Sequence, residues 1–395
     1  MPDADDRGVL NRDEIYLLIA ALSLRAVWVL ASHQFWGYRS DGAYDDGVYL
    51  DMARVILGRG TLDASHPPGY PLFLALFMSV GEWGISLARW AQMLLSAAAA
   101  PLTYRLLLTL KPSRPAALIA GAFVAVNPML IFFSARMMSE IFFVFLFLAF
   151  LLSWLRAWRT GSLPLAAFAG FFGGAATLTR GVILPFGGAL ALAALWKRRE
   201  QARWAPLVIV CGLCWAATVA PWTVRNWLAY HHFVPVSIQG GWNFYEAQTV
   251  DPDEIRFKRS EEMTAEASRL GLIDRFEIDA YFGAKAKAWV RGNPTAFLRL
   301  CVIKVFRFWR PAPEPPHGTL SRMAAGTLTL ALFVAALLGL RATASLPGAG
   351  FLFAWILFLT IMHSMFVSTL RYRLPIEPVL AVLAGIGVAG KLRLD

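Results

Sequence analysis

Long apolar stretches alternate with short polar connections along most of this chain. An α-helix needs roughly 20 mostly apolar residues to cross a bilayer, and fewer where it packs inside a bundle. The alternation therefore predicts ten membrane-spanning helices in an all-α polytopic membrane protein. They are expected near residues 14–32, 84–110, 115–133, 138–157, 163–179, 181–196, 205–222, 322–341, 350–368 and 374–390.

Basic residues in the connections predict how these helices are oriented. Residues 163–196 could form one long helix or a tight hairpin that bends at "TRGVILP". Lys and Arg concentrate in the cytoplasmic loops of membrane proteins, and the basic connections share one side only if 163–196 crosses twice. Those connections contain Lys111, Arg114, Arg156, Arg159, "KRRE" at 197–200, Arg341, Lys391 and Arg393. Both termini are then predicted to be cytoplasmic.

The same alternation divides the chain into three parts. Residues 1–222 are predicted to form an N-terminal transmembrane bundle, which includes a first outer segment at 33–83. Residues 223–321 form a second long outer segment, and residues 322–395 form the C-terminal transmembrane helices. Short turns on the same outer side are expected near 134–137, 180 and 369–373.

Composition supports a membrane protein and excludes several other classes. The 395 residues are 57% hydrophobic and 16% charged, whereas soluble domains are nearer a quarter charged. The net charge of +11 lies largely beside apolar segments, where it sets topology rather than binding nucleic acid. The acidic N-terminus lacks the basic head of a signal peptide, so the first apolar segment is expected to stay as an anchor. Cys211 and Cys214 lie in an apolar run, which favours packing over metal or redox chemistry.

One helix in the second outer segment has a mixed surface. The sequence "NPTAFLRLCVIKVFRFW" begins at Asn293 and Pro294, a favourable helix start. Its mixed aromatic and basic side chains are Phe297, Leu300, Cys301, Lys304, Phe308 and Trp309. This pattern is typical of a helix at the membrane interface, although an amphipathic helix that caps the bundle would show it too.

Ionisable residues at or near membrane depth indicate function, because burying a charge there costs about 2.5–3.5 kcal/mol on insertion scales. The predicted topology brings such residues from distant parts of the chain to the outer side. They are Asp45, Asp46, His66, Arg136, Glu140, Arg180, Arg225, Arg371 and Arg373. Each has a structural alternative: Arg136 could pair with Glu140 one helical turn away, and Arg180 or Arg225 could extend to lipid headgroups.

Together, these charges predict a group-transfer site with an anionic ligand. The planar guanidinium of Arg matches the oxygens of a phosphate, and fixed donors stabilise the negative charge of a leaving phosphate. An attacking hydroxyl or amine needs a carboxylate to take its proton, a role that suits Asp45. A helix over "DDGVYLDMA" would place Asp45, Tyr49 and Ala53 on one stripe.

Several motifs resemble the GT-C superfamily of polytopic glycosyltransferases, in particular the bacterial relatives of protein O-mannosyltransferases and of lipid A aminoarabinose transferases. The acidic pair Asp45 and Asp46 precedes a tyrosine, Tyr49, in the first outer segment. "PWTVRN" at 221–226 and "RYRLPIEPVL" from Arg371 resemble two later family motifs. The matching residues also include Ala53, Gly58, Pro67, Pro68, Arg225, Asn226, Tyr372 and Arg373.

The resemblance implies a helical bundle with membrane-surface helices in the first outer segment. It implies transfer of a sugar, with inversion, from a polyprenyl-phosphate carrier to a glycan, lipid or protein acceptor. The first acid of the pair, Asp45, is the implied catalytic residue, and the matching arginines are the implied phosphate ligands. The membrane would be a bacterial inner membrane, with the site facing the periplasm.

Two departures from these relatives leave the metal question open. The second acid is often Glu in the family, and here it is Asp46. The aminoarabinose transferases place Glu-Lys before the proline, where this chain has Ser65 and His66. No cofactor is predicted, and a divalent Mg, Mn or Zn ion stays an open alternative.

Three other functions remain as alternatives. A transporter or flippase of lipid-linked sugars would place its site near the membrane midplane within inverted repeats, and the sequence shows no symmetry between its halves. A nucleotide-sugar transferase could use "DPD" at 251–253, but no Gly-rich nucleotide-binding unit accompanies it and a turn explains it better. A receptor or structural subunit would have no use for the charges on the outer side.

Overall fold

The computed structural model describes residues 10–31, 45–58, 60, 62–196, 204–248, 255–313 and 318–394. Within these ranges the chain forms helices α1–α17 and no strand. The basic "KRRE" at 197–200 and the "DPD" at 251–253 lie outside the described residues.

The first half of the chain contains ten helices. These are α1 (Arg12–Ala31), α2 (Asp46–Leu57), α3 (Gly69–Met78), α4 (Gly84–Leu110), α5 (Arg114–Ala125), α6 (Pro128–Ser134), α7 (Ser139–Thr160), α8 (Leu163–Thr179), α9 (Ile183–Trp196) and α10 (Ala205–Tyr230).

The described part of the second half contains seven more helices and one 3-10 turn. These are α11 (Gly240–Glu246), α12 (Ile255–Arg269), α13 (Arg275–Gly292), α14 (Pro294–Phe308), α15 (Thr319–Ala344), α16 (Ala349–Met365), the 3-10 turn Leu370–Arg373 and α17 (Glu377–Leu392).

Helices lie at all ten predicted spans, and the prediction of an all-α membrane fold is confirmed. By length and apolar composition, α1, α4, α7, α10 and α15 can each cross a membrane alone. Helices α5 and α6 qualify together, and the shorter apolar helices include α3, α8 and α16. The total of ten crossings stays a prediction. Residues 163–196 form two helices, α8 and α9, rather than one long helix.

The predicted span at 115–133 is broken, which corrects the sequence prediction of one continuous helix. Helices α5 and α6 meet at an angle of 49°. Asn127 has an extended backbone because Pro128 follows it, and its side chain caps the first amides of α6. Arg25 on α1 donates to the carbonyls of Ala125 and Val124 at 3.0 and 3.4 Å, so the carbonyl groups at the break keep hydrogen-bond partners.

Close helix contacts hold the bundle together and join its two ends. A Cβ at Gly339 on α15 would lie 1.9 Å from the carbonyl oxygen of Leu383 on α17, so glycine permits this approach. Helix α17 also packs against α4 and α5, which places the C-terminal helices in the same bundle as the N-terminal ones. Cys211 on α10 packs where Gly170 brings α8 close, in agreement with a packing role for that cysteine.

The second outer segment has a small core of its own. Phe282 on α13 is fully buried and packs with Met263 and Ala267 of α12. The rings of Trp242 and Tyr245, from α11, cover it at 5.2 and 5.3 Å. This helical core gives the segment a defined surface above the bundle.

Helix α10 runs to Tyr230, so the predicted boundary at residue 222 falls inside this helix.

Candidate functional site

Two arginines and two carboxylates from four parts of the chain meet at one end of the bundle. Arg371 donates from Nη2 to Asp45 Oδ2 at 3.0 Å, and its Nε lies 3.7 Å from Glu140 Oε1. Arg180 Nη1 lies 2.9 Å from the same oxygen of Glu140. Asp45 is separated from Arg371 by 326 positions in sequence. Tertiary packing therefore brings together four of the predicted site residues.

Tyr372 supports both guanidinium groups of this cluster. The central carbons of Arg180 and Arg371 each lie 4.9 Å from the centre of the Tyr372 ring. His363 stacks on the same ring at 4.7 Å. A small cavity lies among these side chains, and Glu140 lines it as well. An aromatic face that holds two cations is a favourable cation–π arrangement and limits the directions in which the guanidinium groups can point.

Each charged residue of the cluster stands at the end of a helix or in a turn. Asp45 is the residue before α2, and Glu140 lies in the first turn of α7, where the helix dipole favours a negative charge. Arg180 follows the last residue of α8, and Arg371 lies in the 3-10 turn before α17. Because these ends meet on one side of the bundle, the charges share a site without crossing its apolar core.

Neighbouring acidic and phenolic groups keep the arginines protonated in spite of their burial. Burial alone would lower the pKa of Arg180, but Glu140, Tyr372 and Tyr49 together outweigh it and the pKa is raised. Burial also opposes the charged form of Arg371, yet Tyr372, Glu140 and Asp45 raise its pKa well above the ordinary value. The side chain of Arg371 is 5% exposed and that of Asp45 is 39% exposed. Asp45 is therefore the member of the pair that a substrate can reach.

Tyr49, which lies one helical turn after Asp45, is beside the charged cluster. Its hydroxyl is 3.3 Å from Ser139 Oγ, which accepts a bond from Arg180 Nη1 at 3.4 Å. Burial raises the pKa of Tyr49 to about 12, so the hydroxyl stays protonated at neutral pH. Ala53, one turn further, is fully buried on the same stripe. The segment "DDGVYLDMA" is helical from Asp46, with Asp45 just before the helix and Tyr49 and Ala53 buried.

His66 lies at the end of a chain of polar contacts. Its Nδ1 is 3.0 Å from Ser65 Oγ, which donates to Asp63 Oδ1 at 2.5 Å. Asp63 in turn pairs with Arg275 of α13 at 2.8 Å. Burial lowers the pKa of His66, which favours the neutral ring at pH 7. Gln239 lies 3.5 Å from the other ring nitrogen. A neutral His66 can bind a hydroxyl but adds no positive charge for a phosphate.

Arg225 and Asn226 of "PWTVRN" hold connecting segments in place. Arg225 donates to the carbonyl oxygen of Leu62, and Tyr230 donates to the same oxygen at 3.2 Å. Asn226 is fully buried and donates to the carbonyl oxygen of Val234 at 3.0 Å. The structure thus fixes the segment between α2 and α3 against the segment that follows α10.

The remaining predicted residues lie apart from the cavity. Arg373 is fully buried: its Nε donates to Glu377 Oε1 at 2.7 Å, and its Nη1 donates to the carbonyl oxygens of Phe308 and Arg310. Asp46, also buried, starts α2.

Arg136, the last residue of the predicted set, lies on the turn between α6 and α7. Its guanidinium stands 5.1 Å from the ring of Phe132, and its carbonyl oxygen accepts a hydrogen bond of 2.5 Å from Gln92. Glu140 forms ion pairs with Arg180 and Arg371. Its partners are therefore not limited to Arg136, the local partner that the four-residue spacing suggested.

Two residues of the site were missed from sequence. His363 stands alone in the apolar run of α16, and the rule that flags ionisable groups at membrane depth would have found it. Ser139 gives no comparable signal, because serine is common in membrane helices. Among the described residues, no group of three or more His, Cys, Asp or Glu side chains is arranged to hold a metal ion. The open metal alternative therefore has no assigned ligands.

Comparisons with known proteins define the class of the fold. Residues 65–222 match a family model described as dolichyl-phosphate-mannose-protein mannosyltransferase. The archaeal oligosaccharyltransferase AglB from Archaeoglobus fulgidus, in complex with an inhibitory peptide and a dolichol-phosphate, aligns with a TM-score of 0.62 at 16% identity. The alignment covers 96% of this chain and 51% of AglB.

Further solved structures also align. The apo form of the Archaeoglobus fulgidus oligosaccharyltransferase aligns with a TM-score of 0.61 at 15% identity over 97% of this chain and 51% of that one. Apo ArnT from Cupriavidus metallidurans aligns with a TM-score of 0.44 at 14% identity over 95% and 77%. No curated protein sequence matches the chain.

The first two alignments show a fold shared with the archaeal oligosaccharyltransferase. This chain spans about half the length of the archaeal oligosaccharyltransferase it matches. The GT-C resemblance inferred from the motifs is confirmed at the level of the fold. The chain is an integral membrane protein, as its composition indicates.

Proposed function

We propose that this protein is a membrane glycosyltransferase that moves a sugar from a polyprenyl-phosphate carrier to a glycan, lipid or protein acceptor. The observation that carries the proposal is a pair of arginines, the half-buried Arg180 and the buried Arg371, which line one cavity with Glu140, while Arg371 also pairs with Asp45. The fold shared with AglB, whose structure is described as a complex with a dolichol-phosphate, supports it. So does the family description matched by residues 65–222.

The two arginines would bind the phosphate of the donor. Each can present two N–H groups to phosphate oxygens, and in a site poor in water these contacts strengthen as the leaving phosphate gains charge. Tyr372 and Ser139 orient the guanidinium groups before the donor arrives. Because these hydrogen-bond donors are already oriented, they need no reorganisation during the reaction, and this lowers the activation barrier.

Asp45 would act as the general base. The acceptor O–H proton moves to the carboxylate while the acceptor oxygen attacks the anomeric carbon of the sugar. The bond between that carbon and the phosphate oxygen breaks, and its electron pair leaves with the polyprenyl phosphate. A single displacement from the face opposite the phosphate inverts the anomeric centre. The exposed edge of Asp45 gives the acceptor access to this position.

The pairing of Arg371 with Asp45 would link donor binding to activation of the base. Before the donor binds, Arg371 occupies Asp45 Oδ2. A phosphate that takes over this guanidinium releases the carboxylate oxygen to accept a proton. Donor binding would therefore free Asp45 Oδ2 at the moment when the sugar is in place.

The other predicted residues would position the site. Tyr49 and His66 lie beside the cluster and can bind hydroxyls of the sugar or acceptor. The buried Asp46 starts the helix that places Asp45. Arg225 and Asn226 fix the segment before His66 and the segment after α10. Arg136 and Arg373 would hold the neighbouring turns rather than the phosphate.

The site would face the periplasm of a bacterial inner membrane. Glu140 lies in the first turn of α7 and Arg159 in its last turn, 22 residues of helix apart. If Arg159 and its basic neighbours are cytoplasmic, the cluster lies on the opposite side of the bilayer. Lipid-linked sugars rather than nucleotide sugars are the donors available there.

Mass spectrometry of envelope lipids and glycans from a deletion strain tests the proposal. The strain is expected to lack one sugar and to regain it with the wild-type gene but not with Asp45→Asn. Purified protein in liposomes should release free polyprenyl phosphate from the sugar-linked carrier. Movement of the intact carrier across the bilayer without release would instead show a flippase.

A further inference from the structure

Helix α14 presents an apolar stripe on its outward face. Leu298, Val302 and Phe306 are spaced four residues apart, so they lie on one side of the helix. Their exposed fractions are 63%, 56% and 75%. Contiguous apolar surface of this kind marks an interaction site on most proteins.

The inward face of the same helix combines apolar side chains with one buried charge. Leu300, Lys304 and Phe308 are buried on the opposite side. The ammonium of Lys304 donates to the carbonyl oxygen of Met365 at 3.3 Å, and its carbonyl accepts from Ser368 at 3.0 Å. A helix that faces water carries its charges outward and its apolar residues inward. Helix α14 instead buries the charge of Lys304 and exposes three large apolar side chains, which indicates that its outward face meets an apolar environment.

Exposed apolar residues also begin the next helix, which can cross a membrane. Helix α15 begins ten residues after α14 ends, and Leu320 and Met323 in its first turns are 83% and 65% exposed. Helix α15 is one of the five helices long and apolar enough to span a bilayer alone. Helix α14 has 15 residues and is therefore about 22 Å long, too short to span about 30 Å of hydrocarbon.

Basic side chains accompany the stripe. Arg299 is exposed next to Leu298, and Arg307 follows Phe306. Arginine beside apolar anchors is the composition of helices that lie in the plane of a membrane, where its guanidinium meets the phosphates of the headgroups.

We propose that α14 docks on the phospholipid bilayer, with Leu298, Val302 and Phe306 in the acyl region and Arg299 among the headgroups. The occupant of this face is lipid rather than another protein, because α14 packs against the apolar helix α16, precedes a helix that can span the membrane and carries arginine beside its apolar stripe. The inference is independent of the proposed transfer reaction.

This docking surface also supports the cavity. Phe308 on the inward face of α14 stacks on His363 at 5.6 Å, and His363 stacks on Tyr372 at 4.7 Å. Tyr372 in turn carries the guanidinium groups of Arg180 and Arg371. A helix anchored in lipid therefore forms the outer end of a stacked column that reaches the charged cluster.

Fluorescence quenching in lipid nanodiscs tests the docking surface without any substrate. Cys211, Cys214 and Cys301 are replaced by alanine, and a single cysteine is introduced by Val302→Cys and labelled with an environment-sensitive dye. Leu298→Cys provides a second position if the first variant does not fold. Thr264→Cys, on the exposed face of α12, is the matched control.

The label at 302 or 298 is expected to emit at shorter wavelength than the label at 264. Brominated lipid should reduce its emission while aqueous iodide does not, and the label at 264 should show the reverse. Iodide quenching at 302 and 298 equal to that at 264 would overturn the proposal. A label shielded from both quenchers would overturn it as well, since another protein segment would then cover α14.

Discussion

Arg371 donates a hydrogen bond of 3.0 Å to the carboxylate of Asp45, which lies 326 residues earlier in the chain. The same guanidinium faces Glu140 at 3.7 Å. One cation is thus shared between the proposed base and the carboxylate that also holds Arg180. A phosphate that joins this cluster competes with the two carboxylates for the arginines, and the first prediction tests the role of Arg371 in binding it.

Arg371→Lys is expected to weaken binding of polyprenyl phosphate by about tenfold, or about 1.4 kcal/mol. Lysine keeps the charge but loses the planar fork that can contact Asp45, Glu140 and a phosphate together. The measurement is a binding isotherm with purified protein in detergent. Arg54→Lys, which alters an exposed arginine on α2, is the control and should bind as wild type does. Equal affinity for all three proteins would remove Arg371 from the donor site.

Asp45→Asn is expected to abolish sugar transfer while binding of the carrier persists. Asparagine has nearly the same shape but cannot take a proton from the acceptor hydroxyl. Turnover and the melting temperature are measured on the same preparation. Asp51→Asn, on the exposed side of α2, should keep both. Wild-type turnover in the Asp45 variant would mean that another group is the base.

Arg373→Ala is expected to destabilise the protein by about 3–5 kcal/mol, the usual cost of leaving one partner of a buried ion pair alone. Arg373 and Glu377 have side chains 1% and 2% exposed, and Arg373 also binds two carbonyl oxygens. Thermal unfolding in detergent measures the loss. The double variant Arg373→Met with Glu377→Leu should recover part of it. A single variant as stable as wild type would contradict this structural role.

His66 is expected to make stability fall as pH drops below about 6.5, the ordinary pKa of histidine. Burial lowers the pKa of His66 in the folded protein, so the unfolded chain binds the proton more readily. The slope from this residue is at most about 1.4 kcal/mol per pH unit. The measurement is the unfolding of wild type and His66→Gln between about pH 7.5 and pH 5, a range around the ordinary pKa of histidine. Parallel curves for the two proteins would show that His66 is not held neutral.

Gly339→Ala is expected to lower the melting temperature, because its methyl group would overlap the carbonyl of Leu383 where α15 crosses α17. Gly350→Ala is the control, since a Cβ at Gly350 has no neighbour within 4 Å. That change should leave stability equal or slightly higher, as alanine favours helix. If both variants melt together, the close contact between α15 and α17 is absent in the folded protein.

Helix positions could be predicted well from sequence, and their interruptions less well. Apolar runs are local signals, so helices occur at each predicted span. The break between α5 and α6 also had a local cause, Pro128 after Asn127, which the apolar pattern concealed. Helix α10 exceeded its predicted end at residue 222 because "WTVRNWLAY" continues the helix beyond the apolar run.

The candidate site shows a sharper division between local and tertiary information. Sequence identified Asp45, Glu140, Arg180 and Arg371 as charges on one side, but it gave Arg371 and Arg373 the same role. In the structure Arg371 turns to the cavity and Arg373 turns into the bundle towards Glu377. The two lie two positions apart in a 3-10 turn, so their side chains diverge.

The sequence by itself determined a helical membrane protein with its unusual charges near the helix ends, because hydropathy, capping and charge bias are local properties of the chain. Only the tertiary structure decided which of those charges meet. Partners such as Asp45 and Arg371 depend on how α2, α7, α8 and the turn before α17 pack, and packing sums contacts between segments hundreds of residues apart. No local pattern encodes that sum.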